Sequence, residues 1–213
     1  MKENVSIPCP DSVILEGVLE FPEHKSEKIP SALICHPHPL YGGEMNNNVV
    51  QALSRVFIES GIATLRFNFR GVGRSTGSYG EGISEMTDVA SCINYLSSDD
   101  RLDPSRMIVS GYSFGSWVGM KVGVSDERPN WLIMVSPPVD MYDFAFLSQE
   151  KRPKLMVAGD KDFVCSTKGF HELSQIVQEP KMCAVLPGHD HFHRDREDKI
   201  CKKVKDFLNL YPV

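Results

Sequence analysis

One serine of this chain stands in a Gly-x-Ser-x-Gly pentapeptide, residues 111–115, between an apolar run at 107–109 and a predicted helix. A serine on a sharp strand-to-helix turn presents its hydroxyl above a sheet edge, and the flanking glycines let that turn pack tightly. The pattern therefore predicts that Ser113 is a nucleophile. Because the pentapeptide is short, the prediction depends on a base and an acid being supplied elsewhere in the chain.

Candidates for both partners occur downstream of Ser113. A serine hydroxyl is a weak nucleophile that needs a neighbouring base, most often histidine, which is oriented in turn by an acid. Asp160 and Asp162 follow a strand-like run at residues 155–158, and Asp140 follows the preceding run as a weaker rival. Three histidines follow the last strand-like run: His189, His191 and His193. Spacing alone does not distinguish among the three histidines.

Two other features could be taken for ligand sites. Alternate histidines on an extended segment face one way, as metal ligands would. A serine nucleophile needs no metal, however, so we predict neither a metal nor a cofactor. The glycines of residues 70–77 lack both the Gly-x-Gly-x-x-Gly spacing and the lysine of a phosphate-binding loop. We predict that they form a tight loop beside the active site.

The elements that would position these residues alternate along the chain. Residues 4–7 and 13–19 predict an antiparallel pair, and short apolar strands follow at 32–35, 63–69, 107–110, 131–135, 155–158 and 182–186. Helical spacing lies between the strands, at 46–60, at Ile83 to Leu96, at 114–124, at 167–177 and at Ile200 to Tyr211. Apolar strands separated by helices predict a parallel sheet covered on both faces, with ligands at the carboxyl ends of its strands.

Composition limits the classes of protein to consider. A length of 213 residues fits one domain, residues 1–213, and the net charge of −5 gives no reason to expect nucleic acid or an anionic membrane as partner. No apolar run approaches the roughly 20 residues that span a bilayer. The six cysteines include no Cys-x-x-Cys pair, which favours free thiols in a reducing cytoplasm over zinc or disulfides.

Several motifs resemble the α/β-hydrolase superfamily, and the resemblance extends over most of the chain. Residues 36–43, 45–47 and 66–75 are similar to small lidless bacterial hydrolases related to dienelactone hydrolases and prolyl-oligopeptidase-type catalytic domains. The resemblance implies an α/β-hydrolase fold: a mostly parallel eight-stranded sheet, helices on both faces and no large lid. Dienelactone hydrolase itself uses cysteine where this chain has serine, so lactone specificity does not carry over.

The resemblance also implies which acid and which histidine act. The family's acid loop, Gly-x-x-Asp-x-Val, corresponds to residues 159–164 and assigns Asp162 rather than Asp160. Its last loop, in which a histidine precedes an aromatic residue, assigns His191. These residues keep the order along the chain that is typical of the superfamily: serine first, then the acid, then histidine.

The oxyanion of a tetrahedral intermediate needs backbone donors. The first is expected to be the N–H of Phe114, immediately after the nucleophile, and the second comes from the loop after residues 32–35. Family members often read His-Gly-x-Pro there, with x as donor, which implies His38 in the His-Pro-His-Pro of residues 36–39. The two prolines have no N–H to donate, while Leu40 and Tyr41 stay open as alternatives.

Together these residues predict a serine hydrolase that cleaves small-molecule carboxylic esters through an acyl-enzyme. Only about 20 residues separate the strands at 131–135 and 155–158, which leaves no room for a large lid and favours an open site. Tyr41, Tyr142 and Phe144 are the predicted pocket walls. The alternatives are an acyltransferase or peptidase with the same triad, or a non-catalytic binding module on a hydrolase fold. A homodimer through exposed sheet edges is compatible with the sequence.

Overall fold

Eight strands form a single sheet in the computed structural model, which describes residues 1–23 and 28–213. The strands are β1 (Lys2–Pro8), β2 (Ile14–Glu20), β3 (Ile29–Cys35), β4 (Ala63–Phe67), β5 (Leu102–Tyr112), β6 (Pro129–Val135), β7 (Lys154–Gly159) and β8 (Lys181–Leu186). Their spatial order is β1-β2-β4-β3-β5-β6-β7-β8. Strand β2 pairs antiparallel with β1 and β4, and all other pairs are parallel. The predicted mixed, mostly parallel α/β-hydrolase sheet is confirmed.

Helices cover both faces of this sheet. They are α1 (Asn48–Glu59), α2 (Ser84–Ser98), α3 (Phe114–Ser125), α4 (Thr167–Ile176) and α5 (Glu197–Leu210). Strand β3 shows how both faces are filled, since Leu33 packs with the cluster under α2, α3 and α4, whereas Ile34 packs with the cluster under α1 and α5. Alternate side chains of a strand point to opposite faces, so a strand buried on both faces is apolar throughout.

Some element boundaries differ from the sequence prediction. Ile83 precedes the first residue of α2 and is 73% exposed, so it does not belong to the buried face of that helix. Strand β4 ends at Phe67, two residues earlier than expected. No helix among the described residues combines the length and the apolar character needed to cross a membrane.

The glycine-rich loop at residues 70–77 does not lie beside the active site, so that prediction is wrong. The loop packs against β2 instead: the Thr76 N–H donates to the Ile14 carbonyl at 2.9 Å, and Arg74 pairs with Glu16 at 2.9 Å. Arg70 anchors its start through a buried ion pair with Asp88. The loop is therefore a structural connection to the antiparallel end of the sheet.

Candidate active site

Ser113 lies on the turn between β5 and α3, at the carboxyl end of the central strands. Its backbone has φ 53° and ψ −127°, a region that non-glycine residues rarely occupy and that costs about 1–3 kcal/mol. The turn is held on one side by its own N–H, which donates to the Val135 carbonyl at 2.9 Å. The strained turn lifts the Ser113 hydroxyl out of the sheet, as the pentapeptide predicts.

The two glycines of the pentapeptide are required by close backbone contacts. A Cβ on Gly111 would overlap the carbonyl of Gly115, one turn ahead. A Cβ on Gly115 would overlap the carbonyls of Cys35 and His36 at the end of β3. Helix α3 can therefore begin directly against the sheet only because neither position carries a side chain.

Three side chains predicted from the sequence meet at this turn. His191 Nε2 lies 2.9 Å from Ser113 Oγ, and His191 Nδ1 lies 2.9 Å and 3.0 Å from the two carboxylate oxygens of Asp162. All three residues are at least nine-tenths buried. The arrangement orients the imidazole so that its Nδ1–H points to the acid and its Nε2 accepts from the serine hydroxyl.

The loop that carries His191 is fixed at several points. Gly188 N–H donates to Asp160 Oδ1 at 2.6 Å, and Lys161 N–H donates to the His189 carbonyl at 2.9 Å. The carbonyl of His191 itself accepts from the Tyr112 hydroxyl at 2.6 Å. His191 is thus held by the loop of Asp160–Asp162 on one side and by Tyr112, the residue before Ser113, on the other.

Asp162, rather than Asp160 or Asp140, contacts the histidine. Asp162 Oδ1 accepts from the Val164 and Cys165 amides, each at 2.9 Å. Burial acts to raise the pKa of this carboxyl, but hydrogen bonds from His191, Ser136 and the Val164 amide outweigh burial and lower the pKa. Asp140 instead accepts from Ser166 at the start of α4.

Phe114 and His38 carry the two backbone N–H groups that the sequence predicts as oxyanion donors. Among the described residues, neither of these N–H groups donates to another backbone carbonyl outside a helix or strand. The rival amides are engaged, since Leu40 N–H donates to His38 Nδ1 at 3.2 Å and Tyr41 N–H donates to the His38 carbonyl at 3.1 Å. His38 is also held by the Tyr79 hydroxyl at 3.1 Å from Nε2.

A cavity of about 410 Å³ opens above Ser113. Its walls are mostly apolar and aromatic, and they include Tyr41 and Tyr142 together with Ser113, Phe114, His38 and His191. Tyr142 stacks on Trp117 at 4.3 Å between ring centroids. Within the described residues, only a short 3₁₀ helix, Ala145–Gln149, interrupts the segment between β6 and β7, and no large lid covers the mouth.

Phe144 does not line this cavity, which corrects its prediction as a pocket wall. Its side chain is 3% exposed and stacks with Phe146 at 5.8 Å between ring centroids. It belongs to the apolar cluster beneath α3 and α4. The segment therefore turns Tyr142 toward the cavity and Phe144 into the core.

Ser136 is a site residue that sequence reasoning missed. It directly follows β6, and its hydroxyl lies 2.7 Å from Nε2 of His193, whose Nδ1 lies 2.9 Å from His189 Nδ1. The position at the carboxyl end of a strand, which also marked Asp160 and Asp162 as candidates, was the available signal. His189 and His193 therefore bond to one another behind the site, and no group of metal-ligating side chains occurs in the described part of the chain.

Comparison with known proteins places this chain in a family. A family model described as X-Pro dipeptidyl-peptidase (S15 family) matches residues 11–166. An uncharacterized protein of Rickettsia prowazekii (strain Madrid E) is 32% identical over an alignment of 203 positions, which covers 91% of this chain and 85% of the relative.

Solved structures agree with that assignment. A structure of an α/β serine hydrolase homologue from Coxiella burnetii is 35% identical and covers 96% of each chain with a TM-score of 0.87. A serine hydrolase without lid from Xanthomonas campestris is 24% identical and shares the fold, with a TM-score of 0.88 over 100% of this chain and 96% of that one. The chain belongs to the S15 family and is a hydrolase with the lidless α/β serine hydrolase fold.

Proposed function

We propose that this protein hydrolyses small carboxylic esters through an acyl-enzyme on Ser113. The observation that carries the proposal is the unbroken hydrogen-bonded series from Ser113 Oγ through His191 to Asp162, which opens directly into the cavity. The Ser113 oxygen attacks the ester carbonyl while His191 Nε2 takes the hydroxyl proton. Asp162 stays ionised and stabilises the imidazolium that forms.

The negative charge that develops on the carbonyl oxygen needs fixed donors. Phe114 and His38 both line the cavity with Ser113, and in this proposal their backbone N–H groups supply those donors. Collapse of the tetrahedral intermediate breaks the bond to the alcohol, which leaves with the proton from His191. Water then attacks the acyl group, with His191 again accepting a proton, and Ser113 is released.

The cavity lining favours an ester over the dipeptide substrate in the family's description. A dipeptidyl-peptidase must hold the free ammonium of its substrate, for which a carboxylate in the cavity is the natural partner. The described residues that line the cavity include no Asp or Glu, and their one Lys or Arg side chain is Arg194. A neutral ester meets no such requirement, and the open mouth suits a small acyl group.

A substrate comparison tests the proposal. We expect measurable kcat/KM on 4-nitrophenyl acetate and butyrate, and a value at least about 100-fold lower on alanyl-prolyl-4-nitroanilide, as expected when a charged group stays unpaired in the site. A preference for the dipeptide substrate would contradict ester specificity while keeping the triad. Absence of turnover on both, together with no reaction at Ser113, would favour the non-catalytic binding module.

A further inference from the structure

A second group of buried polar side chains lies behind Asp162, on the side away from the cavity. Ser136 Oγ lies 2.7 Å from His193 Nε2, and His193 Nδ1 lies 2.9 Å from His189 Nδ1. The three residues are 0%, 1% and 3% exposed, and none of them lines the cavity. The proposed reaction makes no direct use of them, yet buried polar groups in such a series must satisfy one another.

The backbone indicates that these side chains are held in place at a cost. Ser136 has φ 45° and His193 has φ 53°, both in the left-handed region that disfavours residues with a Cβ. The Ser136 N–H donates to the Val157 carbonyl of β7 at 2.7 Å. Because Asp162 follows β7 by three residues, this contact sets the Ser136 side chain beside the turn that carries the acid.

The number of available protons decides the direction of the hydrogen bonds. An ionised carboxylate only accepts, and the Ser136 hydroxyl has a single proton, which we assign to Asp162 because hydrogen bonding from Ser136 is among the causes that lower the pKa of that carboxyl. The Ser136 oxygen must then accept from His193 Nε2–H. A neutral His193 with its proton on Nε2 has a bare Nδ1, which accepts from His189 Nδ1–H.

We propose that His189, His193 and Ser136 form a one-way chain of hydrogen-bond donors that ends on Asp162 and positions its carboxylate for His191. The amides of Val164 and Cys165 both donate to Oδ1, so the hydroxyl of Ser136 is suited to hold Oδ2. Ser136 and His193 are positioning residues in this account. The inference rests on the proposed function, because it concerns the acid of that same triad.

Ser136 and His193 could otherwise be read as a second nucleophile and base. The distance of 2.7 Å would suit such a pair. Ser136 is fully buried, however, and the proposed direction of the hydrogen bonds gives its proton to Asp162 rather than to the histidine. No substrate carbonyl reaches it without unfolding of the site, so the pair supports the first serine rather than duplicating it.

The surroundings of His193 in this hydrogen-bonded series also keep its imidazole neutral. Burial, together with the neighbouring His189, lowers the pKa of His193 to about 4, although Asp162 and Asp190 oppose that shift and His191 adds to it. A second proton on His193 would face the Nδ1–H of His189. Protonation of His193 at low pH therefore requires that the hydrogen bond between His193 and His189 breaks first.

Substitution of Ser136 by glycine tests the proposal, because glycine adopts φ 45° without strain. The relief of strain offsets part of the cost of leaving His193 Nε2–H without an acceptor, so we expect Ser136→Gly to fold with a modestly lower Tm and to lower kcat by about 10- to 100-fold on a nitrophenyl ester, with KM within about twofold. Loss of a donor leaves more negative charge on Asp162 for His191, so the acidic limb of kcat/KM should move to higher pH. Ser54→Ala, which removes a buried hydroxyl bonded to Thr64 on the far face, is the matched control.

A second pair of variants separates hydrogen bonding from packing. His193→Gln keeps a donor and an acceptor and should retain most of kcat, whereas His193→Leu should match Ser136→Gly. Wild-type kcat, KM and acidic limb in Ser136→Gly would overturn the chain while leaving the proposed function intact. If the wild-type protein cleaves no ester, the proposed function fails. The hydrogen-bonded series is then tested by the low-field proton resonance of His191 Nδ1–H. A shift of that resonance in Ser136→Gly supports the series, and an unchanged resonance overturns it.

Discussion

The Tyr112 hydroxyl donates to the carbonyl of His191 at 2.6 Å, although the two residues are 79 positions apart. Tyr112 directly precedes Ser113, so the strand that ends at Tyr112 also holds the backbone of His191. The contact bridges β5 and the loop after β8, across the two intervening strands of the sheet. His191 is thereby placed 2.9 Å from Ser113 before any substrate arrives, which is the preorganisation that acyl transfer requires.

The two aspartates of the acid loop form a matched pair for substitution. We expect Asp162→Asn to lower kcat by about 10⁴-fold, because an amide can donate to His191 and so favour the wrong tautomer. Asp160→Asn keeps an oxygen to accept from Gly188 N–H and should stay within about threefold of wild type. Steady-state kinetics on 4-nitrophenyl acetate measure both, and an equal loss in the two variants would contradict the assignment of the acid.

Position 38 allows a test of a backbone donor. His38 has φ −54° and ψ 123°, which proline also adopts, so His38→Pro removes the N–H at little conformational cost. His38→Ala removes the imidazole and keeps the N–H, and so isolates the effect of that donor. We expect kcat of His38→Pro to be at least about 100-fold below that of His38→Ala. Equal values would assign the second donor to another amide, such as Leu40 or Tyr41.

Buried histidines should make stability depend on pH in a definite direction. Burial lowers the pKa of His36 and of His193 from 6.5 to about 4. Between these values the unfolded chain binds protons that the folded chain does not, so the free energy of unfolding should fall as pH falls from 6.5 to 4. Each residue contributes up to about 3 kcal/mol to the loss at pH 4.

Urea unfolding at intervals between pH 7.5 and 4 measures that slope. His193→Gln should reduce it, whereas His171→Gln, at an exposed position on α4, should leave it as in wild type. A free energy of unfolding that stays constant across this window would show that the two histidines are not held neutral by burial.

The local pattern of apolar residues explains which parts of the fold could be predicted from the sequence. Apolar runs such as residues 131–135 and 155–158 form strands that pack on both faces, so their continuous apolar character predicts buried strands directly. Boundaries depend on contacts distant in sequence: Ile83 has the apolar character of its neighbours but precedes the first turn of α2. The glycines of residues 71–77 gave no signal for β2 as their partner, because that packing arises only in the folded sheet.

The candidate site was predictable where a residue type and a strand end coincide. Ser113 satisfies that condition, but several aspartates and histidines do as well, and only the family resemblance selected Asp162 and His191 among them. The structure brings these three residues together, while their catalytic roles stay predictions. Phe144 was assigned to the cavity because aromatic character alone does not distinguish a wall from a core side chain. Ser136 was missed because a serine after a strand has no distinctive chemistry until His193 is beside it.

Covalent labelling with a fluorophosphonate, followed by peptide mapping, tests the central claim most directly. The account predicts a single adduct on the peptide that contains Ser113, loss of that adduct in Ser113→Ala, and its retention in Ser116→Ala, whose hydroxyl in the wild type bonds to the Ser113 carbonyl. An adduct on any other residue, or labelling that persists in Ser113→Ala, would contradict the assignment of Ser113 as the nucleophile.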